Sequence, residues 1–159
     1  MNRTVLLVCL WAAAQAAQAA TTCRIVTVGS IGFGNYDVLA TTPNDTLLGV
    51  TVACDRSGGP ANVTVTVGLG AGANGSSVDA RRMLQTSAPG DYLSYGLFRD
   101  VGRSSVWGNS NGINTVSRTL SVPNNGSAST TFTVYGRIPA QQNVAAGEYR
   151  DTVQITVSP

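Results

Sequence analysis

The cysteines are the residues whose chemistry is easiest to anticipate. Cys9 lies in an apolar N-terminal stretch, whereas Cys23 and Cys54 lie in a region rich in Gly, Ser, Thr and Val. Two thiols with no histidine in the chain cannot fill a tetrahedral zinc site unless carboxylates contribute. In an oxidising compartment two such thiols form a lasting bridge. The sequence therefore predicts a Cys23–Cys54 disulfide and no cofactor.

The lack of histidine also narrows the possible enzyme classes. A serine or cysteine nucleophile would be without its usual general base. Paired carboxylates could serve a glycosidase, but the acidic residues are few and occupy turn-like settings such as Asp55 and Asp91. The glycine-rich stretch 68–72 resembles a phosphate-binding loop but leads into no predicted helix, so we expect a mobile hairpin end there. We predict that the protein is not an enzyme.

The charged residues give no sign of a nucleic-acid or membrane-surface partner. The chain has 10 basic residues, all arginine, and 8 acidic residues, and they are dispersed along it. A nucleic-acid interface or a membrane-binding patch would require basic residues gathered on one face or in one run. We expect neither partner.

The N-terminus has the features of an export signal. Arg3 provides a positive start, residues 5–14 are apolar, and residues 17–19 form the small-x-small pattern read by signal peptidase. Gln15 and Gln18 interrupt the apolar stretch, which disfavours a membrane-spanning anchor. We therefore expect a signal peptide at 1–19 and one mature domain at 20–159, exported through a periplasm and without a membrane span after cleavage.

The mature region shows the period-two alternation of half-buried strands. Turn-forming clusters separate the runs, and no window of helical length has a 3.6-residue period. Short strands at this spacing predict an all-β, immunoglobulin-like sandwich, with a barrel as the alternative. The clearest apolar alternations are Leu48, Val50, Val52 and Cys54; Val63, Val65, Val67 and Leu69; Leu93, Tyr95 and Leu97; Leu120 and Val122; Phe132 and Val134; and Tyr149, Val153, Ile155 and Val157.

Two aromatic residues are candidates for special roles. Trp107 lies in a loop of small polar residues, and tryptophan often anchors interfaces, so it is a candidate for surface binding. The alternative is that Trp107 covers one end of the core. Tyr149 stands next to Gly147 and Asp151, and we expect its hydroxyl to fix the entry to the last strand by hydrogen bonding, as tyrosines at sandwich corners do.

An ordered set of short motifs resembles one known family. The motifs cover nearly the whole mature region and include both cysteines, which makes the set specific although each motif alone is weak. They are Ile31-Gly32-Phe33-Gly34-Asn35-Tyr36-Asp37, Gly49 to Cys54, Arg82-Met83-Leu84, Leu93 to Asp100, Val106-Trp107-Gly108, Val134 to Pro139 and Gly147 to Val153. The chain resembles the spore coat U domain family, which includes the pilin subunits of archaic chaperone-usher fimbriae.

The resemblance implies a sandwich that lacks its final strand and is left with an open apolar groove. In the family, a periplasmic chaperone lends a strand to this groove, and a neighbouring fimbrial subunit replaces that strand at the outer-membrane usher, which is β-strand addition. The groove is then expected to involve the side chains Phe132, Val134, Val153, Ile155 and Val157. An unpaired edge beside apolar side chains is also a physical expectation for a chain whose last strand has nothing to pair with.

Three functions are compatible with these features. The first is a structural or adhesive subunit of a chaperone-usher surface fimbria, with roles such as cell adhesion or biofilm formation. The second is a self-contained secreted or coat-associated sandwich that does not polymerise. The third is a carbohydrate-binding β-sandwich enzyme or lectin; a lectin is expected to have an aromatic platform or a calcium-binding acidic cluster, and the sequence shows neither.

The length of chain ahead of the first mature cysteine adds an expectation about position. Cleavage after Ala19 leaves Ala20, Thr21 and Thr22 before Cys23, a reach of about 10 Å. A donor strand needs roughly 9 or 10 residues at about 3.3 Å each. We therefore expect a subunit that accepts a strand but does not donate one, and that stands at the fibre tip or outside the shaft.

Overall fold

The structure is a computed structural model that describes residues 19–87 and 90–159. The expected signal peptide, apart from Ala19, and Cys9 lie outside the described residues. Within the described ranges the regular structure is all β, and no helix there is long and apolar enough to cross a membrane.

The described residues form nine strands in two sheets. The large sheet has the order β1-β2-β7-β5-β4-β8 and the small sheet the order β6-β3-β9, and the two pack face to face. This confirms the predicted all-β sandwich. The strands are β1 (Thr21–Val28), β2 (Asn44–Arg56), β3 (Ala61–Leu69), β4 (Arg81–Gln85), β5 (Tyr92–Phe98), β6 (Val116–Val122), β7 (Ser127–Ile138), β8 (Tyr149–Arg150) and β9 (Ile155–Ser158).

Alternating β-branched residues explain the sandwich. Val50 and Val52 on β2 and Val65 and Val67 on β3 are fully buried, while the residues between them are mostly more exposed. Because successive side chains of a strand point to opposite faces, each sheet presents one apolar face to the other. Phe132 on β7 is also fully buried and completes the centre of the core.

A buried arginine joins the two sheets at one end. Arg81, the first residue of β4, is 1 % exposed. Its Nε donates to the carbonyl of Gly70 (2.8 Å), and its Nη2 donates to the carbonyls of Leu69 (2.9 Å) and Trp107 (2.7 Å). Burial lowers the pKa of the guanidinium. A side chain of the large sheet thus binds the carbonyl groups where β3 of the small sheet ends.

The C-terminal segment changes sheets, which the apolar alternation did not reveal. We predicted one strand from Tyr149 to Val157, but the structure has β8 paired with β4 in the large sheet and β9 paired with β3 in the small one. Asp151 fixes the crossing, because its carboxylate accepts bonds from the Tyr95 hydroxyl (2.6 Å) and from the backbone and side chain of Asn74 (3.1 and 3.0 Å). Burial, together with this bond, raises the pKa of Tyr95.

The glycine-rich stretch after β3 has a different role from the one predicted. It is not a free hairpin end, because Gly70 N donates to the Gln154 carbonyl and Ala73 N to the Thr152 carbonyl, both at 2.9 Å. Gly72 has a φ of 89°, and a Cβ at that position would collide with the Asp151 carboxylate. The stretch therefore continues the pairing edge that holds the C-terminal segment.

The disulfide ties the edge strand β1 to its neighbour. Cys23 stands directly opposite Cys54 in the β1–β2 register, and the two are bonded. Cys54 is fully buried, so the bridge reaches from the edge of the sheet into the core. The Cys23–Cys54 pairing agrees with the sequence prediction.

We expect reduction of this bridge to destabilise the domain strongly. A loop closed by cysteines 31 positions apart contributes about 3.5 to 4 kcal/mol in the chain-entropy model. Urea unfolding of the exported protein with and without reductant measures the difference, and intact mass gives the thiol count and the mature N-terminus expected at Ala20. Two free thiols in exported, unreduced protein would contradict the prediction.

Candidate functional site

A cleft opens on the inner side of the large sheet, where the small sheet does not cover it. Its volume is about 650 Å³. One wall is the segment 31–38 that follows β1, the other is the segment 144–150 that leads into β8, and the floor contains Met83, Leu93 and Ile138. We call it the inner cleft. Since its floor is the apolar face of the sheet, it offers a place for apolar side chains of another chain.

The first wall is an extended segment that lies on the sheet without joining it. Ile31 and Phe33 turn toward the core, and the Phe33 ring meets the Tyr95 ring edge-on, with centroids 6.0 Å apart. Gly136 on β7 makes room for them, because a Cβ there would lie 2.8 Å from Ile31 Cδ1 and 3.0 Å from the Phe33 ring. The glycine of β7 and the alternation of Ile31 and Phe33 together set the path of this wall.

A tyrosine fastens the far end of the first wall. The Tyr36 hydroxyl donates to the Pro139 carbonyl (2.8 Å) and accepts from the backbone N–H of Gln142 (2.7 Å). The Gln142 side chain in turn bonds the backbone N–H and carbonyl of Ser94 on β5, at 2.8 and 2.9 Å. The wall is therefore linked to β5 through Gln142.

The second wall is held against β4 and the turn that follows it. The Tyr149 hydroxyl donates to the Ala145 carbonyl (2.8 Å), as expected for a tyrosine that fixes the entry to the final strands. Gln85, which is 3 % exposed, donates from Nε2 to the Ala146 carbonyl (2.9 Å), and Asp91 accepts from Ala145 N (3.0 Å). These bonds fix the second wall relative to β4 and the turn that follows it.

β1 is an edge strand of the large sheet, and β9 is an edge strand of the small sheet. β1 pairs only with β2, and β9 pairs only with β3, so within the described residues each has one edge without a strand partner. Cα atoms of β1 and β9 approach within 8 Å of each other, whereas stacked sheets usually lie about 10 Å apart. The two edge strands therefore approach each other more closely than stacked sheets usually do.

The five residues predicted to line a groove fall into two groups in the structure. Val153, Ile155 and Val157 are half-buried along the C-terminal segment that carries the free edge, where an added strand could reach them. Phe132 and Val134 are 0 % and 2 % exposed on β7, in the closed part of the core. All five pack in one apolar cluster, but the cavity itself is lined by other residues.

Trp107 lies inside the protein, as the alternative of a side chain that covers the core predicts, and not on the surface as a binding candidate would. It is 1 % exposed, its Nε1 donates to the Val67 carbonyl (2.9 Å), and its ring packs against Phe132 with centroids 6.3 Å apart. The small polar residues around it indicated an exposed loop, but the long-range contacts with β3 and β7 bury the indole. It offers no surface to a receptor in this structure.

Sequence reasoning missed most of the cavity lining. Ile31, Phe33 and Tyr36 were noticed only as part of a family motif, and Val144 was not singled out. The alternation of Ile31, Gly32 and Phe33 was the available signal, because it places two apolar side chains on one side of an extended segment. In the described part of the chain no group of three acidic or cysteine side chains is placed to hold a metal ion.

Comparisons with known proteins agree with the motifs. Residues 10–156 match the Spore Coat Protein U domain. Protein U of Myxococcus xanthus is 33 % identical over 138 residues, which are 82 % of this chain and 72 % of that protein.

A solved structure shows a more distant likeness. It is the chaperone–tip adhesion subunit pre-assembly complex CsuC–CsuE from the archaic chaperone-usher Csu pili of Acinetobacter baumannii, with 20 % identity and a TM-score of 0.47. The match covers 87 % of this chain but only 39 % of that one. Family membership rests instead on the domain match over most of the chain and on the likeness to Protein U. This chain belongs to the Spore Coat Protein U domain family.

Proposed function

We propose that this protein is a subunit of a chaperone-usher surface fimbria, and that its inner cleft and free strand edges accept an extended strand from another chain. The observation that carries the proposal is the combination of an apolar cleft with edges on β1 and β9 that no described strand pairs with. Backbone groups of the edges would hold the donor, and alternate side chains of the donor would fill the cleft. The family resemblance implies the same mode of assembly.

The partners follow from this mode. A periplasmic chaperone covers the apolar cleft in transit, an outer-membrane usher exchanges it, and a neighbouring subunit supplies the final strand. An uncovered cleft would expose apolar surface and strand edges, both of which promote aggregation. An added strand bonded to both edges needs about 9.6 Å between them, twice the strand spacing. β1 and β9 must therefore part slightly, and the wide cavity is where insertion begins.

We also propose a position at the tip of the fibre. The residues just ahead of Cys23 are already used in the protein's own sheet: Thr21 and Thr22 pair with Arg56 and Asp55, and the Ala20 carbonyl accepts from Ser57 N (3.0 Å). Residues held this way cannot reach into a neighbour. The stretch upstream is the expected export signal.

Immunogold labelling of intact cells and sheared fibres tests both proposals. We expect gold particles at fibre ends, with no fibres labelled in a strain that lacks the protein. Label along the whole shaft would mean that the chain donates a strand, and the tip assignment would fail while the fimbrial function stood. Secreted or coat-associated protein with no fibre label would favour the self-contained domain instead.

A further inference from the structure

A second cleft lies on the outward face of the large sheet, on the other side from the inner cleft. Its floor is β5, where Leu93, Tyr95 and Leu97 are buried and Ser94, Gly96 and Phe98 point outward. The pairing register places Arg82 of β4 opposite Ser94, and Arg137 of β7 opposite Gly96. Two arginines thus flank the outward face of β5 in neighbouring rows. We call it the outer cleft.

A glycine and an aromatic ring shape the floor. A Cβ at position 96 would lie 2.5 Å from Cε2 of Phe98, so the ring lies folded over the bare backbone of Gly96. The walls are formed by Ser76, Asp79 and Ala80 on one side and Pro139 on the other. The volume is about 480 Å³, within the usual range of small-ligand sites. The outer cleft therefore combines a flat apolar surface with polar walls.

Arg82 is held in place by one hydrogen bond and one aromatic contact. Its Nε donates to the Asn74 carbonyl (2.6 Å), and its guanidinium lies over the Tyr92 ring, 4.0 Å from the centroid. Within residues 19–87 and 90–159, its Nη1 and Nη2 have no hydrogen-bond partner. A planar fork oriented in this way is suited to a carboxylate.

The other polar groups of the outer cleft are an arginine that is already paired, a hydroxyl and a carboxylate. Arg137 donates from Nε and Nη2 to the Asp45 carboxylate, both at 2.8 Å, and this pairing raises the pKa of Arg137. Its Nη1 has no hydrogen-bond partner among the described residues. In the described part of the chain, no hydrogen bond reaches the Ser94 hydroxyl or the Asp79 carboxylate. The cleft thus presents cationic donors, a hydroxyl and a carboxylate acceptor around an aromatic ring.

We propose that the outer cleft binds an acidic saccharide. The carboxylate of a uronic-acid unit pairs with the Arg82 fork, the ring of a neighbouring unit lies on Phe98, and sugar hydroxyls bond Ser94 and Asp79. Charge complementarity favours an acidic over a neutral sugar, because Arg82 lines the cleft and has no hydrogen bond at either terminal nitrogen within the described ranges. Filling the inner cleft leaves the outer face exposed, so the proposal does not depend on the fimbrial function.

Titration calorimetry of the exported protein with trigalacturonic acid tests the proposal, with a neutral galactose trisaccharide for comparison. We expect saturable binding of the acidic sugar, and binding of the neutral one weaker by about tenfold or more, since a hydrogen bond to a charged group is worth about 1.5–3 kcal/mol. Arg82→Gln should weaken binding by a similar factor. Gly96→Ala should weaken it by displacing Phe98, with every charge retained.

Arg24→Gln is the matched control. Arg24 is on β1, at the far edge of the same sheet, with its side chain 60 % exposed beside Asp55. It should bind the acidic sugar like the wild type at physiological salt. The proposal is overturned if the wild type does not bind trigalacturonic acid, if the neutral sugar binds equally well, or if Arg24→Gln weakens binding as much as Arg82→Gln. Unchanged melting temperatures establish that each variant is folded.

Discussion

Replacing Arg81 with methionine should lower the free energy of unfolding by roughly 3 kcal/mol or more. The side chain is 1 % exposed and donates to the carbonyls of Leu69, Gly70 and Trp107. Methionine fills much of the same space but donates nothing, so these carbonyls would stay buried without a donor. Leaving a buried polar group unpaired costs about 1–3 kcal/mol each. Urea unfolding monitored by tryptophan fluorescence measures the loss.

The neighbouring Arg82→Met variant is the matched control. Arg82→Met removes the same charge from the same strand, but the Arg82 side chain lies on the exposed outward face. We expect it to change the unfolding free energy by less than about 1 kcal/mol. If Arg81→Met and Arg82→Met unfold at the same urea concentration, water reaches the three carbonyls and Arg81 is not the link between the sheets.

Arg81 also shows why β4 was not predicted as a strand. Its inward positions include Arg81 and Gln85, both buried and both polar, so the apolar alternation that marks β2 and β3 is missing. The inward polar groups are needed because Arg81 binds the carbonyls at the end of β3 and Gln85 binds Ala146. A strand whose inward residues are polar, because they bond backbone groups elsewhere in the fold, lacks the apolar alternation by which a strand is recognised in the sequence.

The sandwich itself was predictable because each long strand carries its own pattern. Val50 and Val52, or Val65 and Val67, alternate within a few residues, and local alternation fixes which face is buried. The change of sheet at Asp151 was not predictable, because alternation continues through Val153 whichever strand is the partner. The determining contacts are those of Asp151 with Asn74 and Tyr95, far apart in the sequence.

The candidate site was only partly predictable for a similar reason. Ile155 and Val157 follow the strand pattern and remain predicted groove residues, but they do not line the cavity. The wall containing Ile31 and Phe33 belongs to no strand, and its position depends on the missing side chain of Gly136, more than 100 residues away. A glycine that makes room for a distant segment looks in the sequence like any other strand glycine.

An extended donor should stabilise the protein, and one substitution on β9 should abolish that response. A peptide of about 10 residues with alternating apolar side chains, at a hundred times its Kd, raises the unfolding free energy by about 2.7 kcal/mol. For a domain of this size the melting temperature should rise by roughly 10 °C. Ile155→Asp places a carboxylate beneath the donor, where a charge buried without a partner is costly. We therefore expect the donor to produce no detectable rise in the melting temperature of this variant.

Ser158→Asp separates a blocked cleft from a general effect of charge. It adds the same carboxylate to the same strand, but Ser158 is exposed and alternates to the opposite face from Ile155 and Val157. We expect its melting temperature to rise with the donor as the wild type's does, while a donor with proline at a backbone-pairing position produces no rise in either protein. Ile155→Ala, which removes apolar contact but adds no charge, should give an intermediate shift. A wild-type protein that is a stable monomer and ignores the donor, or an Ile155→Asp variant that responds fully, would mean that β9 is not where a strand is received.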